Sequence, residues 1–117
     1  MDNKDSIIQS LNLSAHIEGG YFRRTYESRQ STESNRPAMS SIYYLLTDDS
    51  PIGFFHLNKS DIVHYFHAGS PIEYTIISAD GKLTKKILGP DLEKGQQFQL
   101  TVKGGYWKAS QLLTGSY

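Results

Sequence analysis

The sequence predicts an all-β domain, an antiparallel β-barrel or jelly roll (double-stranded β-helix) with one short N-terminal helix, on three grounds. Eight short runs rich in aromatic and β-branched residues follow one another between positions 21 and 112. Turn-forming clusters separate them at close spacing, the pattern of antiparallel sheets rather than of alternating strand–helix units. A chain of 117 residues is one domain, 1–117, able to bury roughly 65% of its unfolded surface around a single core.

The elements follow in order. Ile7, Ile8, Leu11 and Leu13 after a candidate cap at Ser6 give an amphipathic helix over residues 5–13. Strands are expected over 21–28, 39–47, 52–57, 62–67, 72–78, 82–88, 96–102 and 106–112. Asp48-Asp49-Ser50-Pro51, Gly69-Ser70-Pro71, Ala79-Asp80-Gly81 and Gly104-Gly105 supply the positive or fixed φ that chain reversals need. Residues 89–95 read as a wider loop. The polar, Ser-rich 29–37 segment reads as an exposed connection or a lid over the barrel mouth.

Composition narrows the function. Formal charge is zero: residues 1–58 hold five Lys and Arg against seven Asp and Glu, and 59–117 hold seven against five. That is no basic stripe, so no nucleic-acid partner is expected. With no cysteine, disulfides, thiolate metal sites and Cys nucleophiles are excluded. The first residues lack the apolar core of a signal peptide, and no apolar run approaches the roughly 18 residues of a membrane span. A soluble, cytoplasmic protein is expected, with no membrane partner.

The stretch from Gly53 to Gly69 carries most of the chemistry. Strand parity places residues two apart on one face, so 52–57 and 62–67, read as a hairpin around Asn58-Lys59-Ser60-Asp61, point His56, Asn58, Ile62 and His64 inward with Phe54 and Phe66. An imidazole withdrawn from water needs a hydrogen-bond partner, a metal or a ligand. As neighbours on antiparallel strands, His56 and His64 are candidates to share a ligand proton or an ion, or to bond core hydroxyls.

The frame His56, Asn58, Ile62, Gly69 resembles the first motif of the cupin superfamily, His-x-His, three or four residues, Glu, six residues, Gly. Lys103-Gly104-Gly105-Tyr106-Trp107-Lys108 resembles the second, Pro-x-Gly-x-x-His, with Lys108 at the fourth ligand position. A closer resemblance covers most of the chain: His16-Ile17-Glu18-Gly19-Gly20-Tyr21-Phe22, Phe55-His56-Leu57-Asn58-Lys59-Ser60, Ala79-Asp80-Gly81 and Gly104-Gly105-Tyr106-Trp107 are similar to the DUF985 (cupin 5) family. That likeness implies a cupin barrel and, by analogy of fold with a carbohydrate epimerase, a sugar epimerase or isomerase. Resembling members continue past this point with a further strand and tail, so the likeness implies a chain lacking them, and through that loss an exposed sheet edge and a homodimer formed by strand addition. Many members carry Glu where Ile62 stands, so the metal set that the likeness implies retains only His56.

The remaining candidates come from residue chemistry. Glu18 beside Gly19-Gly20 is a general base, a metal-completing carboxylate, or the partner of Arg23 or Arg24. Tyr21 and Tyr74 offer phenols to the pocket. Arg23 is a carboxylate or phosphate clamp, or a solvated side chain. Trp107 floors the cavity or fills the core, and Lys108 binds an anion, acts as a desolvated base, or points out. The expected function is small-molecule binding, with a metal-independent isomerase or epimerase of a sugar-like or carboxylated metabolite first, His56 or His64 accepting the proton and Tyr21 or Tyr74 donating it. A ligand-binding module without turnover is second. A metal-dependent enzyme using His56, His64 and Glu18 is third, since two imidazoles and an amide are a poor ligand set. No cofactor is expected.

Overall fold

The computed structural model describes residues 3–31 and 33–117. It opens with helix α1, Lys4–Ser10. The expected cap at Ser6 is corrected: Asn3 is the cap, its side chain accepting the Ser6 backbone N–H at 2.9 Å while the Ser6 hydroxyl accepts the Asn3 N–H at 3.1 Å. Asparagine caps at least as well as serine, and the reciprocal bond gives Ser6 its use three residues on.

Nine strands follow: β1 Ser14–Ala15, β2 Tyr21–Glu27, β3 Ser40–Leu45, β4 Ile52–Leu57, β5 Ile62–Tyr65, β6 Ile72–Ile77, β7 Leu83–Leu88, β8 Gln99–Val102 and β9 Trp107–Leu112. All eight expected runs contain one, several trimmed at their ends, and the two-residue β1 is added. The 89–95 loop holds a 3-10 turn, Leu92–Lys94, that ends at Gly95 with φ 80°.

The strands pair antiparallel in three sheets, ordered β1-β2-β3, β4-β9-β6-β7 and β5-β8. Strand number alone suggests a closed barrel; the hydrogen-bonded ladder instead stops at the sheet edges, so closure is not what the pairing shows. Single bonds tie the sheets together, such as the Phe54 N–H donating to the Glu18 carbonyl at 2.7 Å.

The expected hairpin between β4 and β5 is likewise corrected. β4 pairs with β9, and β5 pairs with β8. Asn58-Lys59-Ser60-Asp61 is therefore an arch that carries the chain from one sheet to another. It folds onto the Gly104-Gly105 turn: the Gly105 N–H donates to the Asn58 carbonyl at 2.8 Å, and the Gly104 N–H donates to Asp61 Oδ1 at 2.8 Å. Turn-type residues here satisfy backbone groups of another loop rather than reversing a strand. A Cβ on Gly104 would lie 2.2 Å from the Lys59 carbonyl oxygen. Gly104→Ala is therefore expected to cost about 2 kcal/mol or more, because backbone on both sides must move; urea denaturation checks it, and an unchanged midpoint refutes the close approach.

The inner faces of β6 and β7 meet those of β5 and β8 around Tyr74, Ile76, Leu88, Leu100 and Val102, with Phe66, Ile72 and Tyr106 packed against them. Alternation along β9 buries Lys108, Ser110 and Leu112 and turns Trp107 and Gln111 outward. On β4 the alternation slips: a bulge between Gly53 and His56 buries Gly53 and leaves Phe54 60% exposed, so Phe54 is not an inward residue as parity suggests. Among the described residues no helix is long and apolar enough to cross a membrane.

Candidate functional site

The site forms where three sheets bring polar side chains into one interior. In the four-stranded sheet, register aligns His56 of β4, Lys108 of β9, Ile76 of β6 and Thr84 of β7 in one row. The next inward row holds Gly53, Ser110 and Tyr74. From the facing sheet, His64 of β5 reaches across: its Nε2 lies 3.0 Å from Lys108 Nζ and its Nδ1 3.2 Å from the Tyr74 hydroxyl. The His64 and Tyr74 rings meet at 4.7 Å between centroids.

The third sheet contributes Tyr44 of β3, whose hydroxyl donates to the Gly19 carbonyl at 2.6 Å. Tyr44 can lie there because position 53 has no side chain; a Cβ on Gly53 would stand 2.5 Å from Ser110 Oγ and 2.8 Å from the Tyr44 oxygen. His16 borders this edge, its ring 4.7 Å from Phe22 and 5.9 Å from Tyr44. Its Nδ1 accepts the Glu18 N–H at 2.9 Å.

Burial sets the electrostatics. Lys108 is only 7% exposed, and desolvation brings its pKa down to about 8. Desolvation, reinforced by the charges of Lys108 and His56, pushes His64 down to about 3. Burial raises Tyr44 to about 12 against a lowering hydrogen bond from Ser110, and it raises Tyr74 further. At neutral pH Lys108 is mostly an ammonium with only N–H to offer, so His64 Nε2 is the acceptor. The neutral imidazole then carries its proton on Nδ1 and donates it to the Tyr74 oxygen, which leaves the Tyr74 O–H to donate elsewhere. The result is a directional chain, Lys108 to His64 to Tyr74.

His56 neighbours this chain, half-buried in register with Lys108. Its Nδ1 faces the Phe54 carbonyl at 2.8 Å, and a carbonyl only accepts, so a neutral His56 presents an Nε2 lone pair. Asn58 is half-buried in the arch. Glu18 is half-buried beside His16, and its charge is felt by His16 and Tyr44.

Three other sequence candidates are engaged away from the chain. The Tyr21 hydroxyl donates to Asp49 at 3.2 Å on the exposed turn where Lys4 also pairs with Asp48. Arg23 Nε donates to the Leu11 carbonyl at 2.6 Å at the end of α1, with the guanidinium 5.7 Å from the Tyr43 ring centre. Trp107 is 46% exposed on the outer face. Two residues were missed. Parity with Lys108 was enough to find Ser110, whereas Tyr44 depends on a third sheet that no local pattern announces.

The donor set does not suit a divalent ion. Among the described residues no three His, Cys, Asp or Glu side chains stand close enough to share one. Ile62, half-buried opposite Val102, and Lys108 occupy two positions at which the family motif has ligands. Two open hollows of about 280 and 170 Å³ lie along β7, lined respectively by Lys85 and Gln97 and by Thr84, Lys86 and Lys103. Their lysines are solvated, so the buried chain is the better candidate for chemistry.

Relatives share this architecture. The chain is 36% identical over 121 residues to the uncharacterized protein YML079W of Saccharomyces cerevisiae, covering 92% of the chain and 60% of that protein. It therefore spans less than two thirds of the length of that curated relative. The crystal structure of protein SO0799 from Shewanella oneidensis superposes with a TM-score of 0.93 at 36% identity, covering 99% of this chain and 73% of that one. A hypothetical protein from Leishmania major gives 0.86 at 29% identity, covering 94% and 70%. The family model described as Cupin superfamily (DUF985) matches residues 5–117. With a family match over nearly its whole length, this chain is a member of the DUF985 family of the cupin superfamily.

Proposed function

We propose that the chain is a metal-independent isomerase or epimerase acting on a small sugar-like or carboxylated metabolite. The observation that carries this reading is the buried Lys108–His64–Tyr74 chain, with Lys108 Nζ 3.0 Å and the Tyr74 hydroxyl 3.2 Å from the two nitrogens of one imidazole. Epimerisation needs a base, titrating near the working pH, that accepts a proton from carbon, and a donor still protonated at that pH that returns one. Lys108, brought down to about 8, suits the first role better than His64, which is held neutral at about 3. His64 orients the amine, and the Tyr74 phenol, kept protonated by burial, is the donor. As an ammonium, Lys108 also offers N–H groups to a carboxylate or an enolate oxygen.

The test is proton exchange at substrate carbon in heavy water, followed by NMR across sugar nucleotides, hydroxy acids and open-chain hydroxy-carbonyl compounds. Exchange at one carbon is expected, lost in Lys108→Met. Saturable binding without exchange anywhere in the panel would replace this reading with a ligand-binding module.

A further inference from the structure

Resting on the isomerase reading, and naming its substrate class, we infer that Lys108 is an amine nucleophile that condenses with the carbonyl group of a small aldehyde or ketone, such as an open-chain hydroxy-carbonyl compound. The geometry supports this before any acidity is considered. A lysine on the inner face of β9 spends its length in the interior and is 7% exposed. Among the described residues no carboxylate lies within ion-pairing distance of it. Its partner is the imidazole of His64, which accepts one N–H at 3.0 Å and fixes the direction of the amine. A buried lysine kept for charge alone is normally paired, and an unpaired one beside neutral polar groups is the arrangement that favours the free amine.

The groups around it act in the same sense. His56 on β4 sits in the adjoining register position, His64 on β5 is neutral, and Tyr74 on β6 is kept un-ionised. None offers a negative charge that would hold the ammonium. With a pKa of about 8, the free-amine fraction near pH 7 is roughly 200-fold that of an ordinary lysine.

The step balances without a co-reactant. The Nζ lone pair of neutral Lys108 attacks the carbonyl carbon; the C–N bond forms as the π pair moves to oxygen, which takes up one N–H proton. The C–O bond of this carbinolamine then breaks, and the hydroxyl leaves as water with the second N–H proton, giving a neutral imine. Protonated, that imine withdraws electrons from the adjacent carbon and acidifies its hydrogen; with Lys108 bonded to carbon, the Nε2 lone pair of His56, in the adjoining register position, takes that proton in place of the amine. His64 is a positioning residue here, since it touches the amine and not the carbonyl.

Glycolaldehyde with sodium cyanoborohydride is the probe. The intact protein is treated at about pH 7 and the adducts are mapped by peptide mass spectrometry. Six of the other seven lysines are exposed, yet Lys108 is expected to be labelled at least about tenfold faster than any of them. The rate should climb as pH rises through about 8. Labelling should vanish at this position in Lys108→Arg and slow several-fold in His64→Phe, whereas a residue acting only in packing would not change the pH profile. Adducts spread over surface lysines with Lys108 unmodified overturn the inference, whether or not the variants fold. Heavy-water exchange separates the two readings: exchange without an adduct leaves proton transfer standing and sinks the imine, and an adduct without exchange supports the imine and sinks the isomerase.

Discussion

Lys108→Met is expected to abolish proton exchange while making the protein more stable at neutral pH. Holding the lysine near 8 rather than at its ordinary 10.5 corresponds to about 3 kcal/mol of disfavoured charge in the folded state. Methionine of similar length removes that penalty. It also leaves His64 Nε2 without its donor, a loss of about 1 to 2 kcal/mol, so the net gain is about 1 to 2 kcal/mol. The sign depends on pH in a checkable way. The folded pKa is depressed, so the penalty is complete below about 8, relaxes as the native lysine loses its proton, and is gone above the unfolded value. Urea denaturation at pH 7 should show the gain, and at strongly alkaline pH the variant should lose it. Exchange should fall by about 10² to 10⁴, the scale of a lost proton-transfer group. A variant less stable at both pH values would show that Lys108 carries no desolvated charge.

Acid is expected to unfold the protein through His64. Its folded pKa of about 3 lies below the ordinary histidine value of 6.5, so between those values the unfolded chain binds the extra proton and stability falls as pH falls. The full effect is about 5 kcal/mol, complete once pH drops below the folded value. Against a total of about 5 to 15 kcal/mol for a domain, this loss decides where the acid transition lies. His64→Gln keeps an acceptor for Lys108 and a donor for Tyr74 but does not titrate. It should flatten the fall in chemical-denaturation midpoint between about pH 6 and 4. A residual slope in the same direction is expected from His16, whose pKa burial also lowers. An unaltered acid limb in His64→Gln would assign the transition to other groups.

Local patterns carried much of this reading and stopped at identifiable points. Parity marked His64 as inward because alternation along β5 is uninterrupted, burying Ile62 and His64 relative to Val63 and Tyr65. The same rule failed at Phe54, since a bulge has no signature in side-chain alternation alone. Lys108 and Trp107 were ambiguous because hydrophobicity argues for burying the tryptophan; the structure does the reverse, and the lysine's place follows from sharing a face with Ser110 and Leu112. Tertiary pairing was least legible. A four-residue, turn-rich connection reads as a hairpin, and only Gly104 and Gly105, some forty positions later, reveal that it is an arch. The family blocks survived these errors, because they record positions in sequence without requiring the pairing to be known.

The arch has a consequence for partly unfolded states. His56 and His64 lie on strands consecutive in the chain, yet their spacing is set by how two sheets stack and not by any hydrogen-bonded ladder. Each ladder can survive while side-chain packing between the sheets loosens, as in an expanded acid state. In such a state far-UV dichroism would persist while Lys108 moved away from His64 and regained solvent. Its amine would then titrate like that of a surface lysine, which makes the reactivity of one side chain a reporter of tertiary packing that backbone spectroscopy does not see.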